Sequence, residues 1–286
     1  MKSVRSLGFG AIGAVMALVA CSEPGAQSAD TVRQYVFAAE GDSYSLELQE
    51  VPMPSAGPDE VLVRVHASSL NRRDWYMLNA QYGSRGNMEG TIPLSDGAGE
   101  VIAVGSNVSE WEVGDRVAGT FFSDWRGGKF SPEAFASARG GSPWGMLAEV
   151  VVTKPVGLVA IPDYLSYEEA AALPCAAVTA WNGLFKAGNL QAGEYVLLEG
   201  TGGVSTFGLQ LAAAAGAQPI ITSSSNDKLA KARELGAAET VNYRENSEWQ
   251  DAVRELTGDV GVDHVLEIGG ADTLPRAIQA LAHDGH

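Results

Sequence analysis

A glycine-rich segment at residues 200–205 has the composition to bind a phosphate group with its backbone alone. Its sequence, Gly-Thr-Gly-Gly-Val-Ser, follows an apolar strand pattern at 195–198 and precedes an Ala- and Leu-rich helix pattern at 204–215. Glycine permits the sharp strand-to-helix turn, and the free N–H groups and positive dipole of the helix start attract a pyrophosphate. With Ser205 in place of a third glycine, the pattern predicts a dinucleotide-binding turn, the alternative being a purely structural one. The residues expected to line the turn are Gly200, Gly202, Gly203 and Val204.

The end of the next predicted strand bears on the choice between NADH and NADPH. The strand pattern at 219–222 is followed by serines, with no acidic residue that would bond a ribose 2′-OH. Ser223 and Ser224 can donate to a 2′-phosphate, and Lys228 can supply positive charge from the next helix. Tyr243, after a third strand, is placed to flank the same adenosine end. We therefore predict NADPH over NADH; the alternative is that Lys228 is a solvated lysine and Tyr243 a packing residue.

Alternating strand and helix patterns from residue 194 onward indicate the framework around this turn. The predicted strands are 195–198, 219–222, 240–241 and 262–268, and the predicted helices are 204–215, 226–235 and 273–282. Such alternation is typical of a parallel sheet with helices on both faces. Before it, residues 31–160 show short strands separated by Gly and Pro turns, which predict a small β-barrel. One more helix is predicted over 167–173.

The N-terminus has the features of an export signal. Two basic residues precede an uncharged stretch at 7–20, which matches a signal-peptide core and is short for a membrane span. The stretch ends in Leu-Val-Ala-Cys and resembles a bacterial lipobox, in which Cys21 would be lipidated, and Ser22 after it favours the outer membrane. We expect a signal peptide at 1–20, a tether at 21–31 and a lipid anchor to the cell envelope. The alternatives are an ordinary secretory signal, or an unused segment on a cytoplasmic protein.

Composition and charge exclude several classes of protein. The chain of 286 residues is 45% hydrophobic and 19% charged, as in globular proteins. Its formal net charge of −16 makes nucleic acid an unlikely partner, because phosphate backbones are bound by basic surfaces. Two cysteines, Cys21 and Cys175, are too few for a disulfide framework or a multi-cysteine zinc lobe.

Five segments together resemble the medium-chain dehydrogenase/reductase superfamily and, within it, the zinc-independent NADPH:quinone oxidoreductases. They are Leu-Asn-Arg-Arg-Asp (70–74), Pro-Leu-Ser-Asp-Gly-Ala-Gly-Glu-Val (93–101), Val-Gly-Asp-Arg-Val (113–117), Leu-Pro-Cys-Ala-Ala-Val-Thr-Ala-Trp (173–181) and Gly-Thr-Gly-Gly-Val (200–204). The resemblance covers residues 32–286. It implies an α/β plus β fold: a GroES-like β-barrel domain over 32–160, then a Rossmann NADP-binding domain over 161–286. The coenzyme would lie in the cleft between them.

The chain departs from the zinc-containing members of that superfamily at their metal ligands. Asn71 stands where they carry a first Cys, and Ser-Asp-Gly at 95–97 stands where they carry Gly-His-Glu, while Cys175 matches their third ligand position. One soft ligand and one carboxylate do not make a catalytic zinc site, which needs three ligands and an open position. We therefore predict that no zinc is bound, that Cys175 is a buried small apolar residue, and that Asp96 holds a turn by local hydrogen bonds.

Without a metal, hydride transfer needs a hydrogen-bond donor facing the substrate oxygen. Asn71 offers an amide donor at the former ligand position, and Tyr76 can donate a hydrogen bond or proton to a quinone or enone oxygen. Arg72 and Arg73 are alternatives to these two. The resemblance also places Thr179 near the nicotinamide. The sequence thus predicts a metal-free NADPH-dependent reductase of quinones or α,β-unsaturated carbonyls.

Two other functions stay open on the sequence. One is an NAD(P)-dependent alcohol dehydrogenase of the same fold, and the other is a non-catalytic envelope lipoprotein that keeps the scaffold, since free NADPH is scarce outside the cytoplasm. Family members continue beyond the position of residue 286 into two further strands, so we expect the sequence to be incomplete and the edge of the fourth strand to be unpaired. The missing part would contribute to a homodimer interface.

Overall fold

The first half of the protein is built of antiparallel strands, as its short alternating patterns predict. In the computed structural model, residues 31–82, 87–142 and 145–286 are described. The predicted signal segment 1–20, the lipidation candidate Cys21 and the tether up to residue 30 lie outside these ranges. The strands of the first half are β1 (Thr31–Glu40), β2 (Ser43–Pro52), β3 (Val61–Ser69), β4 (Ile92–Pro93), β5 (Asp96–Val104), β6 (Arg116–Gly119), β7 (Gly141–Ser142), β8 (Val150–Thr153) and β9 (Leu158–Ala160). Its two α-helices are α1 (Arg72–Leu78) and α2 (Pro132–Ala136).

Five of these strands form one antiparallel sheet in the order β8-β3-β5-β6-β9, while β1 pairs with β2 and β4 with β7. Its core is made of inward-facing valines: Val61, Val63, Val101, Val117 and Val151. A glycine is required at position 99, because a Cβ there would lie 2.0 Å from the carbonyl oxygen of Arg64 on β3. The glycine lets β5 stay paired as far as Asp96, which begins the strand. The prediction that Asp96 lies in a turn is therefore wrong.

The second half alternates strand and helix. Its strands are β10 (Tyr195–Leu198), β11 (Gln218–Ser223), β12 (Glu239–Asn242) and β13 (His264–Leu266). Its α-helices are α3 (Tyr167–Ala171), α4 (Val178–Trp181), α5 (Gly203–Ala214), α6 (Asn226–Glu234), α7 (Trp249–Leu256) and α8 (Leu274–Ala280), with π-helical stretches at Leu173–Ala177 and Asn182–Ala187. The four strands are parallel, in the order β12-β11-β10-β13. This is the predicted Rossmann-type sheet.

Helices cover both faces of the parallel sheet, as predicted. On one face, Leu197 and Ile220 pack against Trp249 and Val253 of α7 and Ala277 of α8. The other face buries Val196, Leu198, Ile221, Leu209 of α5 and Leu229 of α6. Because apolar strand residues are enclosed from both sides, the carboxyl ends of the strands are held in fixed relative positions.

The fourth strand of the parallel sheet is predicted to have an unpaired edge, but several of its backbone groups are hydrogen-bonded. Residues near position 280 run beside β13: the Val262 N–H donates to the Ala280 carbonyl, and the Ala282 N–H donates to the Val262 carbonyl. The Val265 N–H bonds the His286 carbonyl in the same way. Backbone groups that the sequence pattern leaves unpaired therefore have partners within the chain.

The sequence patterns overextend the helix predicted over 167–173 and miss four others, α1, α2, α4 and α7. Helix α7 has its apolar residues at helical spacing, and α1 is too short and polar to show a period. The helix predicted over 167–173 ends at Ala171, because Pro174 has no N–H to continue an α-helical ladder and the chain widens into a π-helix there.

Thr31–His286 form one compact unit. Within the described ranges, every helix is too short or too polar to extend through a lipid bilayer.

Candidate coenzyme and substrate site

The glycine turn lies where the sequence predicts it, at the carboxyl end of β10. Gly200 has a φ of +71°, a left-handed conformation that favours glycine, and its N–H donates to the Thr222 hydroxyl of β11 at 3.0 Å. Gly202 is the N-cap of α5. A Cβ on either glycine would meet no atom within 4 Å, so the space above this backbone is open. The turn therefore presents the N–H groups of a helix start to open space, an arrangement that fits the pyrophosphate of a dinucleotide.

Ser205, which replaces the third glycine of the fingerprint, has a structural role. It is fully buried, and its hydroxyl donates to the Glu199 carbonyl at 2.6 Å, which ties the first turn of α5 to the end of β10. Gly203 permits a close approach to the preceding π-helix, because a Cβ there would lie 3.4 Å from the Ala176 methyl group. Val204 is half-buried and packs against the core beneath α5. These contacts fix the shape of the turn.

The residues predicted at the adenosine end lie at the adjacent ends of β11 and β12. The Tyr243 N–H donates to the Ser223 carbonyl at 3.1 Å, which links the two strand ends. Ser223 is only 2% exposed, and its hydroxyl lies 3.3 Å from that of Thr201 in the glycine turn. Ser224 is half-buried, whereas Lys228 and Tyr243 are exposed. The accessible groups at this end are thus Ser224, Lys228 and Tyr243. The Ser223 hydroxyl is buried and contacts the glycine turn through Thr201.

Asn71 begins helix α1 in the first half of the chain. Its N–H donates to the Asp74 carboxylate at 2.7 Å, which closes the start of the helix. Its side-chain Nδ2 is buried and makes no well-formed hydrogen bond among the described residues, although the amide is close enough to Asp96 to lower the pKa of that carboxyl. A buried amide donor without a partner is costly and is explained if a ligand oxygen satisfies it.

Asp96 joins the two halves of the chain. Its Oδ1 accepts the Ser95 hydroxyl at 2.6 Å, and its Oδ2 accepts the backbone N–H of Cys175, in the π-helical stretch before α4, at 3.0 Å. Burial raises the pKa of Asp96, and the surrounding polar groups of Ser95, Asn71 and Cys175 offset part of that rise. The Thr179 hydroxyl then donates to the Cys175 carbonyl at 2.7 Å. Four residues that stand out in the sequence are therefore brought together: Asn71, Asp96, Cys175 and Thr179.

The arginines and tyrosine of α1 divide between the two sides of the helix. Arg73 is buried, donates to the Arg139 carbonyl at 2.9 Å and has its guanidinium 4.7 Å from the ring centre of Phe121. Arg72 is exposed, lies over the Tyr76 ring and donates to its hydroxyl at 3.4 Å. Tyr76 is half-buried, and in the described part of the chain no hydrogen bond joins it to the group around Asp96.

The chemistry of these groups does not fit a zinc ion. Both oxygens of Asp96 already accept hydrogen bonds from the protein. Cys175 is half-buried, so the prediction that it is a buried residue is only partly met. Burial, together with the nearby Asp96, raises the pKa of Cys175 to about 12, so a zinc ion would have to displace a tightly held proton to gain a thiolate ligand. Asn71 is not a usual zinc ligand. No group of three metal-ligating side chains occurs within the described ranges.

Sequence reasoning misses two acidic residues at the same edge of the parallel sheet. Glu199 follows β10 directly, and Glu267 follows β13 directly. The Gly269 N–H donates to both carboxylates, at 3.3 Å and 2.9 Å. Their positions in the sequence could have identified them, because an acidic residue at the carboxyl end of a buried parallel strand lies where ligands bind in this kind of sheet.

Models of two protein families match the chain. Residues 57–163 match the alcohol dehydrogenase GroES-like domain, and residues 203–286 match the zinc-binding dehydrogenase domain. The first match covers the antiparallel half from β3 to β9, and the second begins at the first residue of α5.

Known proteins are similar over most of the described length. A zinc-type alcohol dehydrogenase-like protein of Schizosaccharomyces pombe is 45% identical over 246 residues, which are 85% of this chain and 70% of the relative. A quinone oxidoreductase of Pseudomonas aeruginosa is 35% identical over 87% of this chain and 70% of its own length. Among solved structures, a putative alcohol dehydrogenase from Sinorhizobium meliloti has a TM-score of 0.82 and 40% identity, covering 91% of this chain and 76% of that one.

Proposed function

We propose that this chain, which belongs to the medium-chain dehydrogenase/reductase superfamily as a quinone oxidoreductase-like protein, transfers a hydride from NADPH to a quinone or an α,β-unsaturated carbonyl without a metal ion. Oxidoreductase activity with a nicotinamide coenzyme is what the superfamily and its quinone oxidoreductase members support. The metal-free reaction, the choice of NADPH and the substrate class rest on the residues of this chain.

The observation that carries the proposal is the buried Nδ2 of Asn71, a donor that makes no well-formed hydrogen bond in the described ranges and lies beside the Asp96 carboxylate. It occupies the position of a first zinc ligand, beside an Asp96 whose oxygens are both engaged and a Cys175 that stays protonated. In place of a Lewis acid, the chain therefore offers a neutral hydrogen-bond donor. Such a donor stabilises the negative charge that develops on a carbonyl oxygen as a hydride arrives.

The parallel half supplies the groups that would hold the coenzyme. The open N–H groups of Gly202 and Gly203 would take the pyrophosphate at the start of α5. Ser224 and Lys228 would take the 2′-phosphate, with Tyr243 against the adenosine. When bound, NADPH supplies the hydride from C4 of its nicotinamide ring.

Two groups of α1 act on the substrate in this proposal. The Asn71 amide would donate a hydrogen bond to the carbonyl oxygen and orient the ring or enone. The Tyr76 hydroxyl, held by Arg72, would donate the proton that the reduced oxygen needs. The Cys175–Thr179 segment would face the nicotinamide, with its position fixed by the bond from Cys175 to Asp96.

A second candidate is an alcohol dehydrogenase of the same fold. Similarity to the zinc-type alcohol dehydrogenase-like protein of Schizosaccharomyces pombe and to the putative alcohol dehydrogenase of Sinorhizobium meliloti favours it. The same Asn71 and Tyr76 would then bind the hydroxyl of an alcohol. The unfavourable donor set for zinc argues against this reaction, since a metal is the usual means of stabilising an alkoxide.

Location and assembly stay proposals carried by the sequence alone. The segment before Cys21 would place the protein at the cell envelope as a lipoprotein, with a cytoplasmic location if the segment is not used. The net charge of −16 argues against nucleic acid as a partner, and a homodimer is proposed by resemblance.

The test is a steady-state screen of quinones, enones and alcohols with NADPH and with NADH, before and after treatment with a metal chelator. NADPH consumption with a quinone or enone that survives chelation would support the proposal. Activity that chelation abolishes and zinc restores would contradict it. Turnover of alcohols alone would favour the second candidate.

A further inference from the structure

Two carboxylic acids stand side by side at the sheet edge that would receive the coenzyme. Strands β10 and β13 are paired in parallel, with Leu198 opposite Leu266. Glu199 and Glu267 are the next residue of each strand, so their side chains leave the sheet at neighbouring positions. Glu199 also directly precedes Gly200 of the glycine turn.

The environment holds the two carboxyl groups together. The Gly269 N–H lies 3.3 Å from Glu199 Oε2 and 2.9 Å from Glu267 Oε1, so one donor serves both acids. Glu267 Oε1 also accepts the Gly270 N–H and the Thr273 hydroxyl. The backbone of Glu199 is fixed because its carbonyl accepts the Ser205 hydroxyl. If either carboxyl group turned away, it would lose its hydrogen bond from the Gly269 N–H.

Glu199 is the less satisfied member of the pair. It is 6% exposed, and its Oε1 is buried with no hydrogen-bond partner among the described residues. Glu267 is more exposed. Burial alone would raise its pKa, but hydrogen bonds with Thr273, with Glu199 and with the glycine N–H groups outweigh that effect and lower it. Burial, and then the neighbouring Glu267, raise the pKa of Glu199 to about 7. Two adjacent carboxyl groups repel each other when both are charged. Because the hydrogen-bond donors here favour the charged form of Glu267, the proton stays on the buried Glu199.

The charge of the pair is not offset by a cation within the described ranges. None of the ion pairs between described residues includes Glu199 or Glu267, and Arg276 of α8 pairs with Glu248 instead. The facing residues of β11 and α5, Thr222 and Ser205, carry hydroxyl groups. In the π-helical stretch before α4, Cys175 is a neutral thiol. The loop after β13 also contains Asp272, an exposed residue that makes no hydrogen bond to the pair in this part of the chain.

We infer that Glu199 and Glu267 share a single proton at the coenzyme edge of the sheet, and that dinucleotide binding takes up a proton on Glu199. The inference rests on the proposed function, because it needs the coenzyme phosphates to bind at the glycine turn that begins at the next residue. Phosphates bring negative charge close to Glu199, and added negative charge favours its protonated form. Glu199 thereby sets how coenzyme affinity depends on pH.

The direction of the pH dependence follows from the thermodynamic linkage between proton binding and coenzyme binding. A ligand that raises the pKa of a group binds more tightly to the protonated form, so affinity falls as pH rises above the pKa of the free protein. If only the protonated form binds, the Kd for NADPH should rise about eightfold between pH 7.5 and pH 8.5. Binding at pH 7.5 should take up about 0.8 of a proton per site.

The experiment is calorimetric titration of the full chain with NADPH at pH 7.5, in buffers that differ in ionisation enthalpy, repeated at pH 8.5. The proteins are the wild type, Glu199→Gln and, as a control, Glu234→Gln, which changes an exposed acid of α6. Wild type and control should show the uptake and the rise in Kd, and Glu199→Gln should show neither while still binding. Protonation changes on the coenzyme's own 2′-phosphate are common to the three proteins and cancel in the difference.

The possible results distinguish a failure of this inference from a failure of the proposed function. Wild-type protein that binds NADPH with the same proton uptake as Glu199→Gln would overturn the inference and leave the proposed function standing. Wild-type protein that binds no NADPH would overturn the proposed function, and the inference with it. If Glu199→Gln does not fold, infrared titration of the free wild-type protein decides. The same titration of Asp96→Asn removes another buried acid with a raised pKa from the comparison. A protonated-carboxyl band that persists to about pH 7 in both proteins supports the shared proton, and its loss by pH 5 to 6 in either refutes it.

Discussion

The carboxylate of Asp96, at the first position of β5, accepts the backbone N–H of Cys175 at 3.0 Å, although 79 residues separate the two along the chain. One partner belongs to the antiparallel sheet and the other to the helical segment that leads into the parallel half. The bond therefore fixes where Asn71 lies relative to the segment that carries Thr179. Asp96 stands at a position where the resemblance implies a histidine in the zinc-containing members. In this chain it connects the antiparallel half to the parallel half.

Removing that link should lower stability. Asp96→Ala leaves the partly buried Cys175 N–H and the buried Ser95 hydroxyl without their acceptor, which we expect to cost about 2–4 kcal/mol of unfolding free energy. Asp96→Asn keeps an oxygen for the Cys175 N–H and should cost about 1 kcal/mol or less. Urea denaturation of the three proteins measures the difference. Equal stability of Asp96→Ala and wild type would contradict the structural role of the bond.

Asn71→Ala should lower kcat for quinone or enone reduction by about 10- to 1000-fold, because it removes the donor that faces the developing oxygen charge. The KM for NADPH should change little, since Asn71 lies in the antiparallel half and the coenzyme turn in the other. Tyr76→Phe is the companion variant. Proton donation by Tyr76 predicts a loss of rate that varies with pH, and an unchanged profile would remove Tyr76 from the reaction.

Lys228→Ala should weaken NADPH by about tenfold and leave NADH unaffected, because one exposed charged hydrogen bond to the 2′-phosphate is lost. Lys231→Ala is the matched control, since it removes the same charge from the last turn of the same helix. Fluorescence titration with both coenzymes measures the ratio of Kd values. Loss of NADPH affinity in both variants would point to general charge attraction in place of a 2′-phosphate contact.

Gly200→Ala separates backbone strain from coenzyme binding. Alanine at a φ of +71° costs about 1–2 kcal/mol, and the new methyl group points into the open space above the turn. Gly193→Ala introduces comparable strain at a φ of +89°, also with no neighbour within 4 Å, at the other end of β10. Both variants should melt earlier by similar amounts. Only Gly200→Ala should raise the Kd for NADPH, and equal binding by both variants would exclude close approach of the coenzyme to this turn.

Glu199→Gln should stabilise the protein at pH 8 and have little effect at pH 4.5. The native state keeps the proton of Glu199 up to about pH 7, whereas the unfolded chain loses it near its ordinary pKa of 4.5. The native state therefore binds more protons in this window, and the wild-type free energy of unfolding falls as pH rises through it. The glutamine variant lacks this loss, which we expect to amount to about 1–3 kcal/mol. Thermal melts at pH 4.5, 6 and 8 should show a growing difference in Tm, and a constant difference would contradict the shift.

The glycine turn, together with the alternating strand and helix patterns, was enough to predict the fold of the second half. Four apolar strand patterns, each followed by a helix pattern or a turn, leave few arrangements other than a parallel sheet, and Gly200 marks the strand that faces the coenzyme. Short strand patterns separated by Gly and Pro turns predicted the antiparallel half, and the resemblance supplied its GroES-like identity and the position of Asn71. Nothing local distinguishes α1, because seven residues are too few for a helical period to show.

The rest of the site depends on contacts between residues distant in sequence. The partnership of Asp96 with Cys175 and that of Glu199 with Glu267 span 79 and 68 positions, and no spacing rule along the chain reveals them. The inward placement of the Ser223 hydroxyl depends on Thr201 of another loop. Sequence patterns therefore indicate which residues end at the sheet edge, and packing determines which of them face a ligand.

The π-helical stretches on either side of α4 make the length of this segment a determinant of its chemistry. Such a stretch accommodates one residue more than an α-helix of the same rise. Deleting a single residue from Leu173–Ala177 would remove the extra residue, and the stretch would close into an α-helix while Thr179, beyond it, kept nearly the same direction. The residues inside the stretch, among them Cys175 with the N–H that Asp96 accepts, would be redistributed around the helix. The extra residue therefore matters most for the link between the two halves.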